Sequence, residues 1–320
     1  METRNTRGRV HRLAFDVEWP PGHVACYLVD GPEPILVDAA TPDHEAAFVD
    51  AVDSCGYGPG DIEHVLVTHP HVDHVGQVPA VLSAGDPTVY APAGVRERFA
   101  RDPADLEARV RQNCTEAGFP DEQRETAVEM AVESLERDSR LLDPESVDVW
   151  VDPGRERTVG DLTVDPVHTP GHQADHLSYV ADIDGEQTLL AGDMGIEPFR
   201  PVVMHDGLDD GHRESFDAFY EALDRLDALA VDRVYPGHGP VHGDLPGVVE
   251  RHRTSLDKRL DRVRELIGSG YLTVPGVAAA LAGERDVRYL IPEAMGALAH
   301  LERHGEASVE LVDGVRQYHA

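Results

Sequence analysis

Residues 68–76 read Thr-His-Pro-His-Val-Asp-His-Val-Gly. They place His69, His71, Asp73 and His74 in an H-x-H-x-D-H cluster. Three imidazoles and a carboxylate so close together form a ligand set for a first-row transition metal. The apolar run 62–67 just before them reads as a short buried strand, and the Pro and Gly that follow read as loop. A strand that stops and hands over to a ligand-bearing loop fixes where a metal sits, so it constrains the fold more than any other stretch. Chance is the competing reading in a chain with 18 histidines. The compactness of the cluster argues against it.

The chain has 320 residues, enough for one large domain with a small one or for two of ordinary size. Acids outnumber bases 60 to 28, the net charge is −32, and Lys258 is the single lysine. The excess is spread over an ordinary globular pattern. That suits a halophilic protein in molar salt, where repulsion is screened over roughly 3 Å. On this reading the charge says little about the substrate. Cys26, Cys55 and Cys114 form no C-x-x-C and read as free thiols in a reducing compartment. The first residues show no apolar signal core, and no run is long enough to span a membrane. The expectation is a soluble, cytoplasmic protein.

Strands are predicted at 10–18, 23–30 and 35–38, a helix at 43–55, a helix at 77–84 and a strand at 88–91. Residues 94–142 read as an inserted helical block. Asp102-Pro103 opens one helix, Gly118 stops it, and Pro120-Asp121 opens the next. In that helix Val128, Ala131, Val132 and Leu135 share one face. The block suits a lid, a dimer surface or a packed insertion. Strand signals resume at 147–151, 157–167, 176–182 and 187–191, followed by a helix at 213–229 and a strand at 231–235. Beyond Leu245 the order is long helix, short helix, a helix from Pro292 and a hairpin turning at Asp313-Gly314. That is the order of a winged helix. The division expected is a catalytic domain at 1–244 and a winged-helix-like domain at 245–320. The charge splits there too, with 12 acids against 10 bases from residue 243 onward and 48 against 18 before it.

Three later segments each put a ligand-type residue beside glycine at a strand end. They are His172 in Thr-Pro-Gly-His, Asp193 in Leu-Ala-Gly-Asp and His238 in Tyr-Pro-Gly-His-Gly. Singly each suits a capped turn or a surface histidine. Together, in this order behind the cluster, they point to one centre.

With Asp38 added, these motifs resemble those of the metallo-β-lactamase superfamily of metal-dependent hydrolases. The resemblance covers roughly residues 10–242 outside the helical block. It implies an α/β fold, a four-layer αβ/βα sandwich with the site at one edge of two sheets. It also implies two zinc ions, although manganese or iron would suit the same donors. His69, His71 and His172 would take one ion, Asp73, His74 and His238 the other, and Asp193 would bridge them. Asp38 would steady the metal loop. Asp73 and Asp193 would also be catalytic, orienting a bridging hydroxide for attack on a carbonyl carbon or a phosphorus. One departure is Ala40, where the family often has glycine after the aspartate.

The substrate stays open. His176, four residues after His172, and the Arg-bearing helix and winged-helix-like tail behind His238 are similar to the β-lactamase-like endoribonuclease branch. That would imply single-stranded RNA, with Arg251, Arg253, Lys258, Arg259, Arg262 and Arg264 meeting phosphates. The plainer reading pairs those bases with Asp257, Asp261 and Glu265 on the same helix. The helix at 292–304 carries Glu293 and Glu302 and is not basic, which argues against DNA and for a packing or homodimer module. The competing enzyme is a glyoxalase-II-like thioesterase acting on a small acyl thioester or ester. For either, loop 194–213 offers Arg200, His205, His212 and Arg213 as substrate contacts. A third class is a non-catalytic regulatory protein on the same fold, against which the full ligand set argues.

Overall fold

The structure is a computed structural model that describes residues 8–283 and 290–320. The first residues, read for a signal peptide, lie mostly outside the described part. One six-stranded sheet runs β1 (Val10–Asp16), β2 (His23–Val29), β3 (Ile35–Val37), β4 (His64–Leu66), β5 (Thr88–Pro92) and β6 (Val149–Val151), neighbours in that order. It is antiparallel through β3 and parallel from β3 to β6. The second sheet runs β7 (Arg157–Val159), β8 (Leu162–His168), β9 (Leu177–Ile183), β10 (Glu186–Gly192) and β11 (Arg233–Pro236). Only its β10–β11 pair is parallel. The run 157–167 reads as one strand in the sequence, but it is the β7–β8 hairpin. Gly160, at φ 54°, takes the left-handed turn that divides it.

Side-chain alternation builds the layers. On β2, Ala25, Tyr27 and Val29 face the space between the sheets, while Val24, Cys26 and Leu28 face the helices outside. The inner space is closed from the second sheet by residues such as Val164, Tyr179 and Leu190. Helices α1 (Glu45–Ser54), α2 (Val72–Val75), α3 (Val78–Ala84) and α4 (Ala93–Phe99) pack on the outer face of the first sheet through Phe48, Val52, Val75, Val81 and Val95. The block continues with α5 (Pro103–Ala117) and α6 (Asp121–Leu141). Asp102 caps α5 by accepting from the Ala104 N–H at 2.9 Å. Gly118, at φ 87°, ends it.

On the outer face of the second sheet, α7 (Ser215–Asp227) packs with α8 (Leu245–Gly268), α9 (Val274–Ala282) and α10 (Ile291–Arg303). The chain ends in the hairpin β12 (Ser308–Val312) and β13 (Val315–His319), whose turn has Asp313 and Gly314 both at positive φ. Residues of the tail, including Val249, Leu256, Leu260 and Leu298, share one apolar core with Phe216 and Phe219 of α7 and Val110 of α5. Most bases of α8 are paired. Arg251 meets Glu197 and Asp244, Arg253 meets Asp224, Arg259 meets Glu293, Arg262 meets Glu265, and Arg264 meets Asp261 and Glu306. Asp257 instead accepts from the Tyr220 hydroxyl at 2.6 Å. No helix among the described residues is long and apolar enough to cross a membrane.

Candidate active site

The metal loop lies at the carboxyl ends of the first sheet's parallel strands, the edge where α/β sheets collect sites. Three loops from the second sheet, after β8, β10 and β11, meet it there. The residues converge tightly. His69 Nε2 and His172 Nε2 each lie 3.0 Å from His71 Nδ1. Asp193 reaches three imidazoles, with Oδ1 3.2 Å from His74 Nε2 and Oδ2 3.3 Å from both His172 Nε2 and His238 Nε2. Asp73 Oδ2 lies 3.4 Å from His238 Nε2 and 3.8 Å from His74 Nε2. Donor atoms fall into three overlapping groups: His69 with His71 and His172, His69 with His74 and Asp193, and Asp73 with His74 and His238.

Most of these imidazoles are oriented from behind. His74 Nδ1–H donates to Asp38 Oδ2 at 2.9 Å, His238 Nδ1–H to the His23 carbonyl at 2.6 Å, and His172 Nδ1–H to the Val202 carbonyl at 3.2 Å. An acceptor at Nδ1 leaves the Nε2 lone pair free to point inward. Thr68 Oγ donates to Asp38 and so accepts from His69 Nδ1–H at 3.0 Å. Asp38 also accepts from the Thr68 N–H at 2.8 Å, so one buried carboxylate ties the loop's backbone to two of its rings. His176 lies fully buried and does not reach substrate space. Its Nε2 accepts the Asp193 N–H at 3.1 Å and its Nδ1–H donates to Thr169 Oγ at 2.8 Å, which aims the strand end that carries Asp193. Gly192 is required beside it, because a Cβ there would sit 2.7 Å from His176 Nε2 and 2.6 Å from Thr68 Oγ.

The electrostatics divide the histidines. Burial, helped by neighbouring imidazoles, keeps His69 neutral and lowers His71 to about 3. Burial also disfavours charge on His74 and His238, but Asp193 and Asp73 outweigh it, and His238 rises to about 10. Asp73 and Asp193 are themselves held below the carboxylate range against burial, chiefly by His74 and His238. His74 Nε2 and Asp193 Oδ1 are buried without a hydrogen-bond partner. Converging lone pairs, anionic oxygens and orphaned buried atoms are what a bound cation satisfies. The donor set therefore fits divalent metal.

Four sequence candidates fall outside this cluster. His205 is half-buried, and its backbone N–H donates to the His172 carbonyl at 2.7 Å, so its backbone braces the His172 loop. Arg213 points to Glu116 at 3.7 Å. Arg200 pairs with Glu293 at 2.5 Å, and His212 Nδ1–H donates to the Asp209 carbonyl at 2.6 Å. None of the four lines the cleft that opens from the centre. Thr68, Thr169 and the carbonyls of His23 and Val202 are not among the site residues expected from the sequence. The threonines carry a signal, since each stands at the start of a histidine motif. The carbonyls carry none.

That cleft, about 1020 Å³, begins at Pro70 and His71 and runs between α4, α5 and α6 to Leu208 and Ile291. The arginines lining it are Arg98 and Arg101. Arg98 pairs with Asp175 and Asp206, and Arg101 with Asp209. Glu97, Glu122 and Asp138 add further carboxylates to its walls.

Comparison with known proteins agrees with this geometry. A profile of the metallo-beta-lactamase superfamily matches residues 19–238. The lactamase-like protein aptB of Emericella nidulans is 26% identical over 234 residues, 70% of this chain and 57% of that protein, so the chain spans little more than half of it. An atrochrysone carboxyl ACP thioesterase of Aspergillus chevalieri is 26% identical over 313 residues, 91% of this chain and 80% of its own. A hydroxyacylglutathione hydrolase of Rhodopseudomonas palustris is 26% identical over 252 residues, 78% and 76% of the two chains. In fold, a metallo-beta-lactamase family protein of Thermus thermophilus superposes with a TM-score of 0.81 at 23% identity, covering 97% of this chain and 98% of that one. With its motifs, its two packed sheets and a profile match over most of its length, the chain belongs to the metallo-beta-lactamase superfamily.

Proposed function

We propose that this superfamily hydrolase is a binuclear metal-dependent acyl-thioesterase. The observation that carries the reading is the cleft. Its arginines are neutralised by Asp175, Asp206 and Asp209, and Glu97, Glu122 and Asp138 make it hostile to a polyanion. A ribonuclease needs the opposite, unpaired cations along the strand's path. The paired bases of α8 support the same choice. So do two relatives whose names describe thioester hydrolysis.

In this reading His69, His71 and His172 would hold one divalent ion, Asp73, His74 and His238 would hold a second, and Asp193 would offer its carboxylate to both. Zinc is the first expectation, with manganese or iron as alternatives. Ions bound there supply Lewis acidity and bring the pKa of coordinated water to about 7. The protein's own groups do the rest. Asp38, the His23 and Val202 carbonyls and Thr68 fix the ring orientations, and His176 fixes Asp193. Asp73 and Asp193 present carboxylate oxygens that orient the attacking water. Overall, water adds across the acyl C–S bond: its oxygen goes to the acyl carbon, the C–S bond breaks, and the sulfur leaves as thiol. Residues 245–320 act as a module that packs on α7 and the helical block.

The test is a parallel assay of metal-loaded protein, in high salt, on acyl thioesters and on single-stranded RNA. Thioester turnover without RNA cleavage is expected. RNA cleavage without thioester turnover overturns the reading.

A further inference from the structure

We infer that the cleft under the helical block is an acyl-chain channel, and that the substrate's acyl group is a medium to long unbranched hydrocarbon. This deepens the thioesterase reading and rests on it.

The channel reaches the candidate metal centre, because Pro70 and His71 are among its lining residues. Apolar side chains make up much of its remaining wall. Phe99, Leu106 and Phe119 line one side, and Ala131, Leu135 and Leu208 are among the others. On α6, Ala127, Ala131 and Leu135 stand four residues apart and present one stripe to the channel. From Ala127 to Leu135 that stripe covers about 12 Å of helix. The two alanines leave the depth that a chain needs, where larger residues would fill it. Met130 lies at 50% exposure on the same helix and also lines the channel. A flexible thioether at the rim adapts to a flexible chain.

The volume decides against a small acyl group. About 1020 Å³ is at the upper end of ordinary ligand pockets, far more than an acetyl or lactoyl unit fills. The charges decide against a phosphate-bearing occupant in the channel itself, since Glu122 and Asp138 line it beside the apolar wall. A neutral hydrocarbon meets neither objection. Gln173 and Asp175, which follow the candidate ligand His172 in the chain, and the paired Arg98 are among the polar residues that line it, on the side where the carbonyl and sulfur would lie.

The experiment uses the metal-loaded protein and N-acetylcysteamine thioesters with acyl chains from two to sixteen carbons. Each added methylene buried in the channel is expected to raise kcat/KM by up to about fourfold. The rise should end at about eight to twelve carbons, where the apolar wall ends. A second readout is independent of turnover: calorimetric binding of the matching S-alkyl thioethers, which have no carbonyl to cleave. Affinity should rise with chain length in step with kcat/KM. Ala131→Phe, which fills the channel midway, should move both optima to shorter chains. Ala127→Phe, one turn away, should move them less, and it serves if the first variant folds poorly.

A flat dependence of both readouts on chain length, with thioesters still hydrolysed, overturns the channel and leaves the thioesterase reading standing. Length-dependent thioether binding without thioester hydrolysis does the reverse. It keeps the channel and sinks the thioesterase reading. Unchanged optima in both phenylalanine variants also overturn the channel.

Discussion

Two walls bound the cleft, and they are built differently. The metal wall is made of strand ends from both sheets. His69, His74, His172, Asp193 and His238 are all buried there, and their contacts run to residues far away in the chain. The opposite wall is the α5–α6 hairpin. Leu106, Val110, Cys114, Ala117, Phe119 and Val128 anchor it in the core, while its outer surface carries exposed pairs such as Arg111 with Glu107 and Glu125. Exposed pairs contribute little stability. The candidate metal ligands are thus held by the sandwich, whereas the wall we propose to face the substrate is one helix pair. A superfamily fold can keep its centre and alter its specificity in this way.

The sharpest way to break this comparison is to strike the metal wall directly. His71→Ala removes the donor that both His69 and His172 approach at 3.0 Å. Thioester turnover should fall on the order of a thousandfold, with bound metal reduced when counted by elemental analysis. Near-normal turnover would show that the histidine cluster is not the reacting centre.

Next comes the support behind the wall. Asp38→Asn keeps the shape but loses the charge that His74 Nδ1–H and Thr68 donate to. Metal affinity should fall roughly ten- to a hundredfold, read by competition with a chelator. Stability without metal is the control. If affinity held and only stability dropped, Asp38 would be a fold residue and not part of the metal's support.

These two residues were legible in the sequence because histidine and aspartate have few other reasons to gather at apolar strand ends. The strands were legible for a similar reason, since short apolar runs such as residues 24–29, bounded by polar and turn residues, suit buried strands. The β7–β8 division was not, because Gly160 reads as one weak strand residue until its φ is known. The sequence left His176 open between a substrate group, a support for the ligands and a plain strand-end histidine, and the Asp193 N–H pointing at it gives the supporting role. Loop 194–213 misled most. Its basic residues read as substrate contacts, but Arg200 is committed to Glu293, which is buried, and Arg213 faces Glu116. Pairing across long sequence separations leaves no local pattern to read.

On the helical wall, Met130→Gln should change unfolding free energy by less than about 0.5 kcal/mol, because the side chain is half exposed and fills no core position. A chemical denaturation midpoint checks it. A loss beyond about 2 kcal/mol would show the hairpin to be packed as tightly as the metal wall and would remove the contrast.

The smallest effect is expected at the foot of the metal wall, at Ala40. It stands at φ 46°, in the left-handed region, and its carbonyl accepts the Gly76 N–H at 2.9 Å. Neighbouring Ala39 donates to the His74 carbonyl at 2.7 Å, so this short turn holds the loop from below. A non-glycine residue there costs about 1–2 kcal/mol of backbone strain. Glycine would remove that strain, but it would also give up a fully buried methyl worth about 0.8 kcal/mol. Freeing the unfolded chain costs a further ~0.4–1 kcal/mol. The opposing contributions cancel, so Ala40→Gly should leave stability and metal affinity almost unchanged. That explains how alanine persists at a position whose geometry favours glycine. A melting point raised by many degrees would mean that the strain is larger than the methyl's packing repays. A comparable fall would mean that the methyl, and not the backbone, is what seats the metal loop.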